Sequence, residues 1–218
     1  MLLRTGHFRQ NYSLERDGSP SHWKREFDRG YFSPDDALAV WRNLLKVGCI
    51  PSRGKMSALF TGTNFPSHEI AIFNYEADRD PKRAFSFLAC DLIDIDEERL
   101  IQPQIKKRND KQVFHYRQAD VADLRYPVSF DIISDRLGFI WHQIQESDLL
   151  DDVFSAFLHL YAMLKDRGKL VIDARKDSLS TTFWIEQKVP ELFYRLNEIF
   201  QKMEYVGENE QRVLVLTK

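Results

Sequence analysis

Acidic side chains in this chain stand at the ends of short apolar runs, where a side chain leaves the core and can reach a ligand. Asp91 closes the run AFSFLAC, and a carboxylate at a strand end can accept from both hydroxyls of a ribose. Leu92 is its neighbour on that loop, Asp94 and Asp96 follow closely enough to compete for the role, and a merely solvated acid is the plainer alternative. Asp120 follows VFHYRQA; its carboxylate suits an exocyclic amine, with Val121 and Leu124 able to sandwich a planar ring, while Asp123 is a candidate turn or cap residue. Asp135 and Arg136 close a further run, FDIIS. Trp141 and His142 come next, and an imidazole is the side chain that titrates near neutrality, so His142 is a candidate general base. A histidine beside a tryptophan is more often satisfied by a backbone carbonyl.

These residues need a scaffold that brings the run ends to one edge. Residues 56–61, 84–90, 113–117, 130–134 and 170–174 are short and apolar enough to be strands buried on both faces. Helical spacing is carried by 35–46 behind Ser33 with Gly48 as its stop, by 67–78, by 148–165 with Gly168 as its stop, and by 189–200. Segment 97–107 is partly helical, interrupted by Pro103. Strands alternating with helices predict a mostly parallel sheet covered on both faces. MEYVG and RVLVLTK, joined by a polar turn at 208–210, predict an antiparallel hairpin at its edge. In such a sheet the loops after the first four strands are where ligands bind.

Composition narrows the partners. With 218 residues and 43% hydrophobic content, the chain supports one well-covered core. Charges nearly cancel at a formal net of -2, so no global field draws the protein to nucleic acid or to anionic lipid, and KKRNDK at 106–111 reads as a solvated helix end. Cys49 and Cys90 lack any metal-ligand spacing and are expected as buried free thiols. No apolar run approaches the roughly 20 residues needed to cross a bilayer, and the first residues lack an apolar signal core, so a soluble, cytoplasmic protein with no membrane partner is expected.

The order QADVADLRYPVSFDIISDR over 118–136, followed by LKDRGKLVIDA, resembles the second half of a class I S-adenosylmethionine-dependent methyltransferase. The resemblance implies an α/β, Rossmann-like fold: a mostly parallel seven-stranded sheet with a C-terminal antiparallel hairpin and helices on both faces. On it, Asp91 and Leu92 fall at the ribose, Asp120 and Val121 at the adenine, and Asp131 and Asp135 along the fourth strand to the substrate edge, with Asp135 also a cofactor contact. The first loop, ALFTGTNFPSHE, stands where the family carries an acid and spaced glycines. Thr61, Gly62 and Asn64 then become cofactor-loop residues, Phe60 occupies the acidic position, and Asn64 replaces a glycine while tolerating the same left-handed backbone. The cofactor's ammonium is left needing another partner; His68 and Glu69 are near, without a sign that either substitutes.

SFDIISDRLGFIWH also resembles the thiopurine and thiol methyltransferase group. That likeness implies an acceptor pocket lined by Arg136, Phe139, Trp141 and His142, against the alternative that the aromatics are packing residues and Arg136 an ion-pair partner. Residues 1–30 are expected as an N-terminal arm, with His22, Trp23, Phe27 and Tyr31 as a candidate lid that puts Trp23 on the substrate, and 31–218 as the methyltransferase-like domain. The implied activity is methyl transfer from S-adenosylmethionine to a small-molecule acceptor. The alternative is a non-catalytic relative that keeps the fold to bind a ligand or partner. A nucleotide-dependent oxidoreductase ranks behind both, since GxGxxG is absent.

Overall fold

The apolar runs form the inner strands of one sheet because both of its faces are covered, so neither face needs polar residues. A computed structural model describes residues 33–63, 66–92, 94–124, 129–136, 138–147, 149–176 and 180–218. The expected arm with Trp23 and the loop residue Asn64 lie outside the described residues. The strands are β1 (Met56–Thr61), β2 (Phe85–Asp91), β3 (Gln112–Gln118), β4 (Phe130–Asp135), β5 (Leu164–Asp173), β6 (Lys202–Val206) and β7 (Val213–Thr217). They form a seven-stranded sheet in the order β3-β2-β1-β4-β5-β7-β6. The first five are parallel, and β7 runs antiparallel between β5 and β6. The expected sheet and its terminal hairpin are both present.

Adjacent residues on one strand point to opposite faces, and the two cores follow from that. Phe60 of β1 joins Trp41, Phe73, Phe87 and Phe114 on one face, with α1 (Pro34–Lys46) and α2 (Ser67–Arg79) above it. Leu59, one residue earlier, joins Ile133, Ile140, Phe157 and Leu214 on the other. There the sheet is covered by α3 (Phe139–Glu146), α4 (Leu150–Ala162), α5 (Thr181–Lys188) and α6 (Leu192–Ile199). Ser33 starts α1 through a capping box: its hydroxyl accepts from the Asp36 N–H and the Asp36 carboxylate accepts from the Ser33 N–H. The buried Glu76 carboxylate joins α1 to α2, accepting from Trp41 Nε1 at 2.8 Å and from Arg83 at 3.0 Å.

Several element expectations need correction. The helix read over 148–165 stops at Ala162, and Leu164 already belongs to β5. Gly168, expected as a helix stop, lies inside that strand at the register shift against β4. A Cβ there would come 2.8 Å from the Lys165 carbonyl oxygen, so the glycine permits the close backbone approach of a bulge. Segment 97–107 reduces to a π turn at Glu97–Ile101 and a 3-10 turn at Gln102–Gln104, which leaves KKRNDK on an exposed loop and not at a helix end. Helices α3 and α5 were not expected at all. Both cysteines are buried and free.

Candidate functional site

The chain runs outward from β1 through β2 to β3, then returns to place β4 on the other side of β1. The winding reverses there, and in open α/β sheets the carboxyl ends of the strands beside such a reversal are where ligands bind. Thr61 and Asp135, the last residues of those strands, lie opposite one another. On the outer side, Asp91 ends β2 partly exposed, with its Oδ1 accepting from the Leu92 N–H at 2.6 Å. Asp94 stands exposed farther along the same loop. Asp120 is mostly buried after β3, and its Oδ1 accepts from the Ala122 N–H at 2.9 Å, so it caps the 3-10 turn Val121–Asp123. The side chains of Val121 and Leu124 belong to the core, and the Val121 carbonyl takes a hydrogen bond from His159 Nε2 at 2.8 Å. Asp123, expected as a turn or cap residue, lies within that turn, and Asp120 caps it.

The β1–β4 side is built differently. Gly62 has a φ of 64°, and a Cβ on it would overlap the Gly138 backbone. A Cβ on Gly138 would in turn come 2.5 Å from the Thr61 carbonyl oxygen. The two loops thus meet backbone to backbone, so the close approach that fixes glycine at 62 is to the protein's own chain. Asp135 is fully buried and accepts from the N–H groups of Gly138 at 3.2 Å and Ile140 at 3.1 Å, which caps α3. Burial pushes its pKa up to about 6, opposed by these N–H groups. Arg136 points into the protein with Nη2 3.8 Å from Asp173 Oδ2, and Asp173 is also paired with Arg175 at 3.2 Å. Burial lowers the Arg136 pKa to about 10 while Asp173 pulls it back up.

Phe60, at the position where the resemblance calls for an acid, is a core residue packed between Trp41 at 6.1 Å and Phe87 at 5.2 Å. A buried carboxyl does exist nearby, on α2. Glu69 is 8% exposed, and burial pushes its pKa up to about 8; its own backbone N–H and Arg136 act downward, and Asp91 upward. Glu69 Oε2 and the Thr63 hydroxyl are buried with no hydrogen-bond partner.

Of the expected substrate residues, Phe139 is packed in the core with its ring edge-on to His159 at 6.0 Å. Trp141 and His142 are in edge contact at 5.0 Å on α3, and burial lowers the His142 pKa to about 4, so its imidazole is neutral. Trp141 Nε1 and Gln145 Nε2, one helical turn apart, are buried donors with no hydrogen-bond partner. Thr63 and Gln145 had no part in the sequence reading, and Glu69 had no role. The signal for Glu69 was legible: an acid three residues ahead of Ile72 and four ahead of Phe73 lies on a helix's apolar face. Among the described residues, no group of His, Cys, Asp and Glu side chains is arranged to hold a metal, and no helix is long and apolar enough to cross a membrane.

No family model matches the chain, and no curated protein matches it in sequence. Solved structures do match in fold. A candidate S-adenosyl-L-methionine-dependent methyltransferase of Methanococcus maripaludis is 17% identical with a TM-score of 0.54, over 94% of this chain and 95% of that one. The N-methyltransferase NodS of Bradyrhizobium japonicum WM9, in complex with S-adenosyl-L-homocysteine, is 16% identical with a TM-score of 0.55, over the same 94% and 95%. A candidate class I methyltransferase of Listeria monocytogenes is 15% identical with a TM-score of 0.56, over 86% of this chain and 60% of that one. The strand order and these likenesses together give the chain the fold of the class I S-adenosylmethionine-dependent methyltransferases.

Proposed function

We propose that this chain binds S-adenosylmethionine across the carboxyl ends of β1, β2 and β3 and transfers its methyl group to a small-molecule acceptor. The observation that carries the reading is the joint placement of Asp91 at the end of β2, Asp120 after β3 and the buried, incompletely bonded Glu69 over the switch point. These groups fit the ligand: Asp91 would hold the ribose hydroxyls, Asp120 with the Val121 backbone would border the adenine, and Thr61 and Gly62 would line the amino-acid end. The bound cofactor would supply an electrophilic methyl group on a sulfonium.

The protein's own contribution to such a reaction is alignment and exclusion of water. Because His142 is neutral and a weak base, the acceptor has to be nucleophilic without a strong enzyme-bound base, as a thiolate or a neutral amine is. Trp141 Nε1 and Gln145 Nε2 favour an acceptor that presents an oxygen toward α3. Arg136 faces Asp173, which supports a structural ion pair more than an anion fork. The contact between Gly62 and Gly138 favours a second reading, a non-catalytic ligand-binding protein, because it closes the loops on each other.

Thermal melting with and without S-adenosylhomocysteine tests the proposal. Ligand at a hundredfold excess over its dissociation constant should stabilise the fold by about 2.7 kcal/mol. An unchanged melting temperature at saturating concentrations would leave the fold without this function.

A further inference from the structure

Glu69 is a carboxyl group held in a place that ordinarily costs a protein stability. It is 8% exposed, and one of its oxygens has no hydrogen-bond partner. Desolvating an acid without filling its acceptor sites is unfavourable, so a buried, half-satisfied carboxyl is a marked position. Its location follows from its neighbours. It interacts with Asp91, at the end of β2, and with Arg136, just after β4, and β2 and β4 flank β1. Glu69, in the first turn of the helix that follows β1, therefore sits over the end of β1, where Phe60 turns its ring into the core beneath α2 and leaves no acid. Its own backbone N–H engages the carboxylate at the start of α2, which leaves Oε2 for another donor. The Thr63 hydroxyl, on the connection from β1 to α2, is likewise buried with no hydrogen-bond partner. Two acceptors at one strand end, one of them able to ionise, suit a ligand that brings N–H donors and positive charge.

We propose that Glu69, with the Thr63 hydroxyl, binds a primary ammonium group of the ligand, so that the acid missing from the end of β1 is supplied from helix α2. The inference rests on the cofactor reading, in which that ammonium is the one on the amino-acid end of S-adenosylmethionine. The charged and titratable groups that face Glu69 are Asp91 from β2, Tyr116 from β3 and Arg136 from the loop after β4. Burial, with a contribution from Asp91, favours the protonated acid in the ligand-free protein, and an arriving ammonium favours the ionised one. Binding then expels a proton.

The test compares S-adenosylhomocysteine with 5′-methylthioadenosine, which keeps the adenosine and lacks the ammonium, on the wild type and on Glu69→Gln by calorimetry. S-adenosylhomocysteine should bind about tenfold to a hundredfold more weakly to Glu69→Gln, while 5′-methylthioadenosine binds both proteins equally. Unchanged S-adenosylhomocysteine affinity overturns the role of Glu69 and leaves the cofactor reading standing; equal losses for both ligands also overturn it, since Glu69 would then support only the fold. If Glu69→Gln does not fold, the wild type decides alone through the protons exchanged on binding at pH 7, measured in two buffers of different ionisation enthalpy. Release of about one proton with S-adenosylhomocysteine and none with 5′-methylthioadenosine supports the proposal, and no release with either overturns it. A wild type that binds neither ligand removes the cofactor reading and this inference together.

Discussion

The two sides of the sheet's carboxyl edge handle their acids in opposite ways. At the ends of β2 and β3, Asp91 is partly exposed and Asp120 buried, and both bond to N–H groups of their own loops, Leu92 and Ala122. At the ends of β1 and β4, the charged side chains are turned inward: Asp135 caps α3, Arg136 meets Asp173, Glu69 lies over β1, and the two loops touch through Gly62 and Gly138. The outer side ends in acids bonded only to the loops that carry them. The inner side has been rebuilt by packing, and its polar groups are interdependent.

The largest expected effect breaks the inner side. Phe60→Asp places a carboxylate among Trp41, Phe87 and the rest of that aromatic core, and should destabilise the fold by about 4 kcal/mol or more in denaturant titration. It should not improve binding of S-adenosylhomocysteine. A stable variant with tighter binding would mean that this position faces the ligand. Next in size, Gly138→Ala forces a Cβ to 2.5 Å from the Thr61 carbonyl oxygen and should cost about 2 to 4 kcal/mol by the same measurement. A neutral result would show that the two loops do not pack as described.

The outer side should respond in affinity and not in stability. Asp91→Ala should weaken S-adenosylhomocysteine by about 1.5 to 3 kcal/mol in calorimetry while the melting temperature of the ligand-free protein holds. Asp94→Ala, an exposed acid on the same loop, serves as the control. Equal losses in the two variants would erase the distinction drawn at the end of β2.

A smaller effect sharpens the contrast through pH. Asp135 and Glu69 have pKa values raised in the folded protein, to about 6 and about 8. A group whose pKa is raised on folding contributes stability below its unfolded value and loses it as pH rises through the folded one. His142, whose pKa burial lowers to about 4, opposes them below about pH 6.5, so the melting temperature of the ligand-free protein should fall most clearly between about pH 6.5 and 8, with Glu69→Gln flatter and higher by about 3 °C or more at the alkaline end. A wild-type curve that rises across this range would contradict the burial of both groups.

What the sequence disclosed follows the same division. Strand ends such as Thr61 and Asp91 were legible because an apolar run and the break after it are local signals. The sheet order followed from alternating elements and one hairpin. Helix α5 was hidden because its buried residues include Thr181 and Thr182, which leaves no apolar stripe to read. Gly168 looked like a helix stop because glycine marks bulges and helix ends alike. Glu69 could be placed on the apolar face of its helix by its spacing to Ile72 and Phe73, but its role could not, since an acid in a first helical turn is ordinary helix-end chemistry. The Gly62–Gly138 contact joins residues far apart in the chain, and no local pattern announces it.

The central claim is that the outer side still receives an adenosine, whatever packing has done to the inner side. Titration of the wild type with S-adenosylhomocysteine in a calorimeter tests this most directly. Binding at one site with a roughly micromolar dissociation constant, lost by tenfold or more in Asp91→Ala, is the predicted result. No heat at millimolar ligand, or binding that Asp91→Ala leaves unchanged, would contradict the account.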